Sequence, residues 1–429
     1  MCKSNLFKEV LKNEVFPALG CTEPITVAYA ASIASKETEG RVKAIKIIVD
    51  PGVYKNGLAV TVPNTGGEKG NLIAGVIGAL IKKPELKMEI LKGTKDNMIR
   101  RAKALIRAKK AKVIYDKSKT DLYIDVSIKT DKGSARAVIE NGHTNLVRLE
   151  KNDRPIFEKK NNETAFKGQA YKPILKKMKI SELIDLAKHI DDEDYNYIQH
   201  GIDMNLKISK AGLKLQKVGY YLADLVQKGY LLKGIFSSSK ILTASASDAR
   251  MAGLNLPAMS SGGSGNQGIV AILVPYNVGK YFKIKEKKIL QSIALSHLIN
   301  SYIKCFTGDL SPLCGCSIAA GVGAAVAIVY QQKGNDKAKI ALAVNNLVSD
   351  LGGMLCDGAK AGCALKVVSS TDSAIRSAYM ALNNHGITET EGFVGKTAEE
   401  TIYHLSKISE IGMAKVDATM LEIMIGKKL

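Results

Sequence analysis

The sequence predicts an α+β protein: a mostly helical domain with a smaller α+β domain inserted after the N-terminal helices. Three observations carry this reading. Alternating, strand-like runs cluster between residues 40 and 160. From Ile180 onward, helical patterns rich in Ala, Leu, Ile and Gly follow one another across short loops, many too apolar for surface helices. The chain has 429 residues, more than the ~250–300 that one hydrophobic core usually holds.

In chain order, residues 4–37 read as helix, break and helix. The break is GCTEP, with Pro24 in the first turn of the second helix, where the missing N–H costs nothing. Strand runs at Val42–Val49 and Leu58–Val62 are separated by a turn around Pro51-Gly52, and helices follow at about 69–82 and 85–109. Further strands are expected at 112–116, 121–129, 134–140 and 144–150. Lys159–Lys179 is a basic, polar connector. The expected division is 1–38, N-terminal helices packing with the helical domain; 40–160, the α+β domain; and 175–429, the helical domain.

Composition narrows the function. No run approaches the ~18 apolar residues of a membrane span, and the charged N-terminus lacks the apolar stretch of a secretory signal, so a cytoplasmic protein with no membrane partner is expected. Lys and Arg outnumber Asp and Glu by 62 to 41, a formal charge of +21. Much of the excess lies at 82–119, without the interleaved aromatics of an RNA-binding sheet. Lysines there suit a solvated helix face, which argues against nucleic acid and leaves attraction of anionic substrates. A homo-oligomer is left open.

The cysteines carry more information. Five of the seven, Cys305, Cys314, Cys316, Cys356 and Cys363, fall in one stretch of the C-terminal half. Cys356 and Cys363 would stand about 10.5 Å apart along a helix, but Gly358 and Gly362 suggest a loop that folds back. Cys314 and Cys316 would point to different faces of a helix, so one ligand is expected from the pair. Cys316 sits where the helix SIAAGVGAAVAIVY begins, among N–H groups that stabilise a thiolate. C-x-C and C-x₆-C are poor zinc knuckles, and the six histidines show no ligand spacing. Three separated cysteines suit a [4Fe–4S] cluster with one open iron; the alternative is small core residues in Gly/Ala-rich helices.

GCTEP, SGGSGNQG, SPLCGCSIAAGVGAA and CDGAKAGCALKV, in that order, resemble the L-cysteine desulfidase family, which is related to the α chain of iron–sulfur L-serine dehydratases. The resemblance spans essentially the whole chain. It implies an α,β-elimination of L-cysteine to pyruvate, ammonia and hydrogen sulfide by a [4Fe–4S] cluster with one open iron, without pyridoxal phosphate. Carried onto this sequence, the cluster ligands are Cys316, Cys356 and Cys363, with Cys314 a rival for the first, and Cys21 is the proton acceptor. The serine enzymes place a further cysteine late in the chain; this sequence runs MLEIMIGKKL there, which points to the desulfidase branch.

Cys21 precedes a helix N-terminus, which lowers a thiol pKa, while Glu23 opposes ionisation. The Ser260–Gly268 segment (SSGGSGNQG) suits an amino-acid head group, with Ser264, Asn266 and Gln267 as hydrogen-bonding groups and glycines that expose backbone amides. The substrate-binding set is completed by Glu23 and by Asn64, brought from the α+β unit. Lys360 offers a cation for a carboxylate or a solvated lysine, and His297 and His385 read as structural. The rival functions are an L-serine dehydratase and a basic nucleic-acid-binding protein with a structural cluster.

Overall fold

The computed structural model describes residues 3–119, 121–159, 170–308 and 310–427. Cys2 and residues 160–169 of the basic connector lie outside the described residues. The fold is α+β. Its first part comprises α1 (Lys3–Glu14), β1 (Pro17–Ala18), α2 (Thr22–Lys36), β2 (Val42–Val49), α3 (Pro51–Gly57), α4 (Asn71–Ile81), a 3₁₀ stretch (Pro84–Gly93) and α5 (Asp96–Arg107). Strands β3 (Ala111–Tyr115), β4 (Tyr123–Thr130), β5 (Ser134–Glu140), β6 (Leu146–Lys151) and β7 (Arg154–Glu158) follow. With β2 they form one six-stranded sheet in the order β3-β2-β4-β5-β6-β7. Only the β2–β3 pair is parallel, joined by the crossover through α3, α4 and α5; the others are antiparallel neighbours.

The second part is helical: α6 (Tyr171–Lys177), α7 (Ile180–Lys188), α8 (Asp192–Gly212), α9 (Val218–Gln227), α10 (Ile235–Met251), α11 (Gly265–Tyr281), α12 (Glu286–Thr307), α13 (Ala319–Lys333), α14 (Lys337–Leu351), α15 (Cys363–Leu382), α16 (Ala398–Lys407) and α17 (Val416–Ile425). A two-residue strand, β8 (Ala258–Met259), pairs with β1. Helix α13 is buried from Ala319 to Gln331. A helix that is apolar on every side must be surrounded, and α12, α11, α14 and α15 pack against it. Among the described residues no helix is long and apolar enough to cross a membrane.

Two cores result. Sheet residues such as Ile47, Ile124 and Ile139 bury one face against α2 and α4. Lys43, Lys46, Lys112 and Lys129 are exposed along the same strands, so part of the basic excess lies on the sheet. The other core is built by α6–α8 and α10–α16, with Leu6, Phe7, Val10 and Leu11 of α1 inserted into it. The structure therefore divides residues 1–38. Helix α1 lies in the helical core, whereas α2, expected there too, lies in the sheet's core. The reason is local: α2 is buried on nearly every side, and Gly75 and Gly78 of α4 let Val27 and Ala28 approach closely.

Other expectations need correction. Leu58–Val62 is not a sheet strand: Ala59 and Asn64 have positive φ, and only Thr61 bridges to Lys69. Pro51-Gly52 is not a plain turn but the start of α3, capped by Asp50, which accepts from the Val53 N–H at 2.9 Å. The 85–109 helix is a 3₁₀ stretch and α5, broken between Gly93 and Asp96. Strand β7 carried no alternation and is exposed throughout.

At the closest point of α2 and α4, a Cβ on Gly78 would lie 2.1 Å from the Ala28 carbonyl oxygen. Gly78→Ala should therefore lower stability by about 1–3 kcal/mol, the usual cost of overpacking, seen as a lower urea midpoint by circular dichroism. An unchanged midpoint would mean that the two helices separate freely.

Candidate active site

One cavity of about 100 Å³ is lined in large part by the N-terminus of α2, the turn entering α11, and the loops at 310–318 and 352–363. Cys21 is the N-cap residue of α2, buried and extended at φ −76, ψ 131. Its thiol does not cap the helix but donates to Glu23 Oε2 at 2.8 Å. That carboxylate also accepts from Thr22 Oγ1 at 3.1 Å and Asn56 Nδ2 at 2.9 Å. Burial, then the Glu23 charge, push the Cys21 thiol well above its ordinary value, and Arg250 only partly offsets them. Burial would likewise raise Glu23, but the charge of His143 and the bonds from Cys21 and Asn56 bring it down to about 2. The pair therefore rests as thiol and carboxylate, with the proton on sulfur.

The cysteine loops meet because they pair with each other. Leu313 and Leu355 form an antiparallel bridge, the Cys314 N–H donates to Met354 O at 2.8 Å, and the Cys356 N–H donates to Pro312 O at 2.7 Å. Residues 315–318 are a turn that precedes α13. In this turn the Cys314 and Cys316 sulfurs lie 3.3 Å apart, where a helix would have splayed them. Cys314 also hydrogen-bonds Cys356, and its contact with Cys316, above all, pushes its thiol up to about 12. Cys363 opens α15, with its sulfur 3.4 Å from both the Lys360 N–H and Gly358 O. Burial first raises this thiol, to about 11. All four cysteines line the cavity. Cys305 does not; its thiol donates to Ser301 O at 3.3 Å.

The glycine-rich segment forms another wall. Ser260 is tied to Phe16 through the Phe16 N–H donating to Ser260 Oγ at 2.8 Å. Ser261 Oγ contacts His297 Nδ1 at 2.8 Å and accepts from Asn300 Nδ2 at 3.0 Å. Ser264 is the N-cap of α11, so Asn266 and Gln267 belong to a helical first turn, not to a loop. Ser264, Asn266, Gln267, Cys21 and Glu23 all line the cavity. Asn64 does not. It donates to Leu91 O at 3.0 Å and Asn255 Oδ1 at 3.1 Å, in a left-handed turn that faces away. Lys360 is half-buried and does not line the cavity: its Nζ donates to the carbonyls of Lys55 at 3.2 Å and Asn56 at 3.3 Å.

Several lining residues carried no motif. Asn56 orients Glu23 from α3. His143 arrives from the β5–β6 turn over Gly263, where a Cβ would stand 3.3 Å from its ring. Lys304, on α12, donates to Gly262 O. Arg250, at the end of α10, is buried beside Gly265. It had a readable signal, as the single basic residue in the small-residue run TASASDARMAG.

The family model of the serine dehydratase alpha chain matches residues 85–422, well over half of the chain. The chain belongs to that family. Among similar proteins, the UPF0597 protein of Geobacter sulfurreducens is 61% identical over 424 residues, with 99% of both chains covered. That of Elusimicrobium minutum is 57% identical, covering 98% of this chain and 99% of its own. That of Clostridium tetani is 40% identical over the full length of both. No solved structure gives a significant match. The family is one of lyases generally associated with iron–sulfur centres. In this member the donor set suits such a group. Four thiols line one cavity, yet among the described residues no three Cys, His, Asp or Glu converge as they would on a single ion.

Burial lowers His297 from 6.5 to about 3, so the folded protein keeps this imidazole neutral while the unfolded chain protonates it. Stability is thus fully present above about pH 6.5 and falls as the pH drops through the window toward 3. His297→Gln should flatten the acid limb of the stability curve by about one proton, measured by urea unfolding between about pH 4 and 7. An unchanged slope would show that the histidine titrates normally.

Proposed function

We propose that this protein is an iron–sulfur-dependent lyase that eliminates hydrosulfide from L-cysteine, giving pyruvate, ammonia and hydrogen sulfide. The observation that carries the proposal is the convergence of Cys314, Cys316, Cys356 and Cys363 with the Cys21–Glu23 pair on one cavity of about 100 Å³. Held by Cys316, Cys356 and Cys363, with Cys314 beside them, a [4Fe–4S] cluster with one open iron would supply a Lewis acid for the departing group.

The chain's own groups manage the proton. Cys21 needs its sulfur ionised to accept the α-proton. Glu23 Oε2 at 2.8 Å is the nearest acceptor, and the transfer is uphill because burial and the Glu23 charge favour the thiol. Asn56 and Thr22 hold the carboxylate in place. A sulfur whose burial disfavours the thiolate is a strong base once that proton has left. As it takes the α-proton, the C–H electrons form the Cα–Cβ double bond and the C–S pair leaves with hydrosulfide. The aminoacrylate then tautomerises and is hydrolysed by water to pyruvate and ammonia. The family match favours a second reading, the same elimination from L-serine with water leaving.

Protein purified without oxygen should hold about four irons per chain and release sulfide and pyruvate from L-cysteine in preference to pyruvate from L-serine. Cys316→Ala, Cys356→Ala and Cys363→Ala should each abolish both iron and turnover. Cys21→Ser should retain iron and lose ~10²–10⁴ in kcat. Pyruvate from serine alone would select the dehydratase reading, and iron-loaded protein inert to both substrates would overturn the elimination.

A further inference from the structure

Arg250 lines the cavity, and the proton chemistry has no use for it. It is 3% exposed, and its Nε is a buried donor with no hydrogen-bond acceptor. Among the described residues no carboxylate forms an ion pair with it. The acids nearby are engaged elsewhere: Asp248 accepts from the Gly219 N–H at 2.8 Å, and Glu23 is held by Cys21, Thr22 and Asn56. An arginine buried without a counter-charge is costly, and proteins keep one where an anion arrives.

Its surroundings add to the demand for an anion. A Cβ at Gly265 would lie 2.3 Å from Arg250 Nε, so the guanidinium rests against the first residue of α11. That helix has 17 residues, and Ser264, its N-cap, makes no side-chain cap bond. The positive end of a helix and a guanidinium thus share one wall of the cavity. Two positive features side by side repel unless a negative group lies between or over them.

We propose that Arg250 and the N-terminus of α11 form the carboxylate subsite of the cavity, which receives the α-carboxylate of the amino acid. The identity of that anion rests on the elimination reading above. Arginine matches a carboxylate with two parallel N–H donors, which fixes orientation as well as charge. The subsite thereby selects free α-amino acids and excludes amines and amides of the same size.

The probe is L-alanine, which has the head group and no leaving group, with L-alaninamide as the counterpart lacking the carboxylate. Calorimetry and thermal shift on anaerobically purified protein should show L-alanine binding roughly 10–100-fold tighter than the amide. Arg250→Gln should remove that preference, Arg250→Lys should keep part of it, and iron content should not change in either. Ligand-free Arg250→Gln should melt at or above the wild-type temperature, because an unpaired buried charge has gone. Equal binding of L-alanine by wild type and Arg250→Gln would overturn the subsite, as would ligand-free destabilisation in Arg250→Gln that Arg250→Lys avoids. If wild type prefers L-alanine through Arg250 yet turns over neither cysteine nor serine, the elimination falls and the subsite stands. If turnover occurs with an unchanged KM for cysteine in Arg250→Gln, the subsite falls and the elimination stands.

Discussion

The site depends on how the loop between α14 and α15 is fastened to α3. Lys55, 2% exposed, donates to Cys356 O at 2.9 Å and to Asp417 Oδ1 at 2.6 Å. Lys360 returns from the loop to the carbonyls of Lys55 and Asn56. Each ammonium has acceptors in place of water, which is what lets a lysine be buried while charged. The exchange is reciprocal, one lysine from each segment bonding the other's backbone. It brings the loop of Cys356 and Cys363 to Asn56, and Asn56 holds Glu23. Helices α2 and α3 belong with the sheet, whereas the cysteines belong to the helical core. This double fastening, together with the β1–β8 pairing just before Cys21, holds the proton-handling pair beside the thiols.

Charge in the cavity is divided by the same logic. Lys366 is committed to Leu355 O at 2.9 Å and to Asp357, so it braces the cysteine loop and keeps it closed. Lys55 is committed to Asp417. Glu23, a buried carboxylate, stays ionised because His143, Cys21 and Asn56 together outweigh its desolvation. Burial first, and then the Glu23 charge, keep Cys21 protonated although it stands at the N-terminus of α2. The competition that sequence alone left open is thus decided by burial: in water the two influences are comparable, while in a low-dielectric site the nearer full charge dominates a helix end.

The sequence made the sheet and most of the helices legible because period-two and helical patterns survive wherever one face is buried. It failed where structure is set by tertiary pairing. Leu58–Val62 has strand-like residues but no partner strand, and β7 has a partner in β6 but no pattern. The cavity residues that lie in local motifs, Cys21, Glu23, Ser264, Asn266, Gln267 and the cysteines, could be named. Asn56, His143 and Lys304 could not, since each comes from an ordinary helix or turn and acquires its place only through folding. Asn64 was misplaced for the converse reason. A left-handed turn residue beside glycines looks like a binding loop, and here it donates to Leu91 O and Asn255 Oδ1 instead.

The glycines of the motifs have a role different from the one their composition suggests. As loop residues they would expose backbone amides to a ligand. In the fold they clear space for polar side chains that arrive from other elements. A Cβ would stand 2.3 Å from Arg250 Nε at Gly265, 2.7 Å from Gln267 Nε2 at Gly315, and 3.0 Å from Asn56 Oδ1 at Gly358. Each glycine is therefore one half of a contact whose other half lies far away in the chain. The first half is visible as a motif, because only glycine fits. The second is an arginine, a glutamine or an asparagine that many other positions could also hold. This asymmetry explains why the sequence outlines the cavity through its small residues and leaves most of its charged ones to be found in the structure.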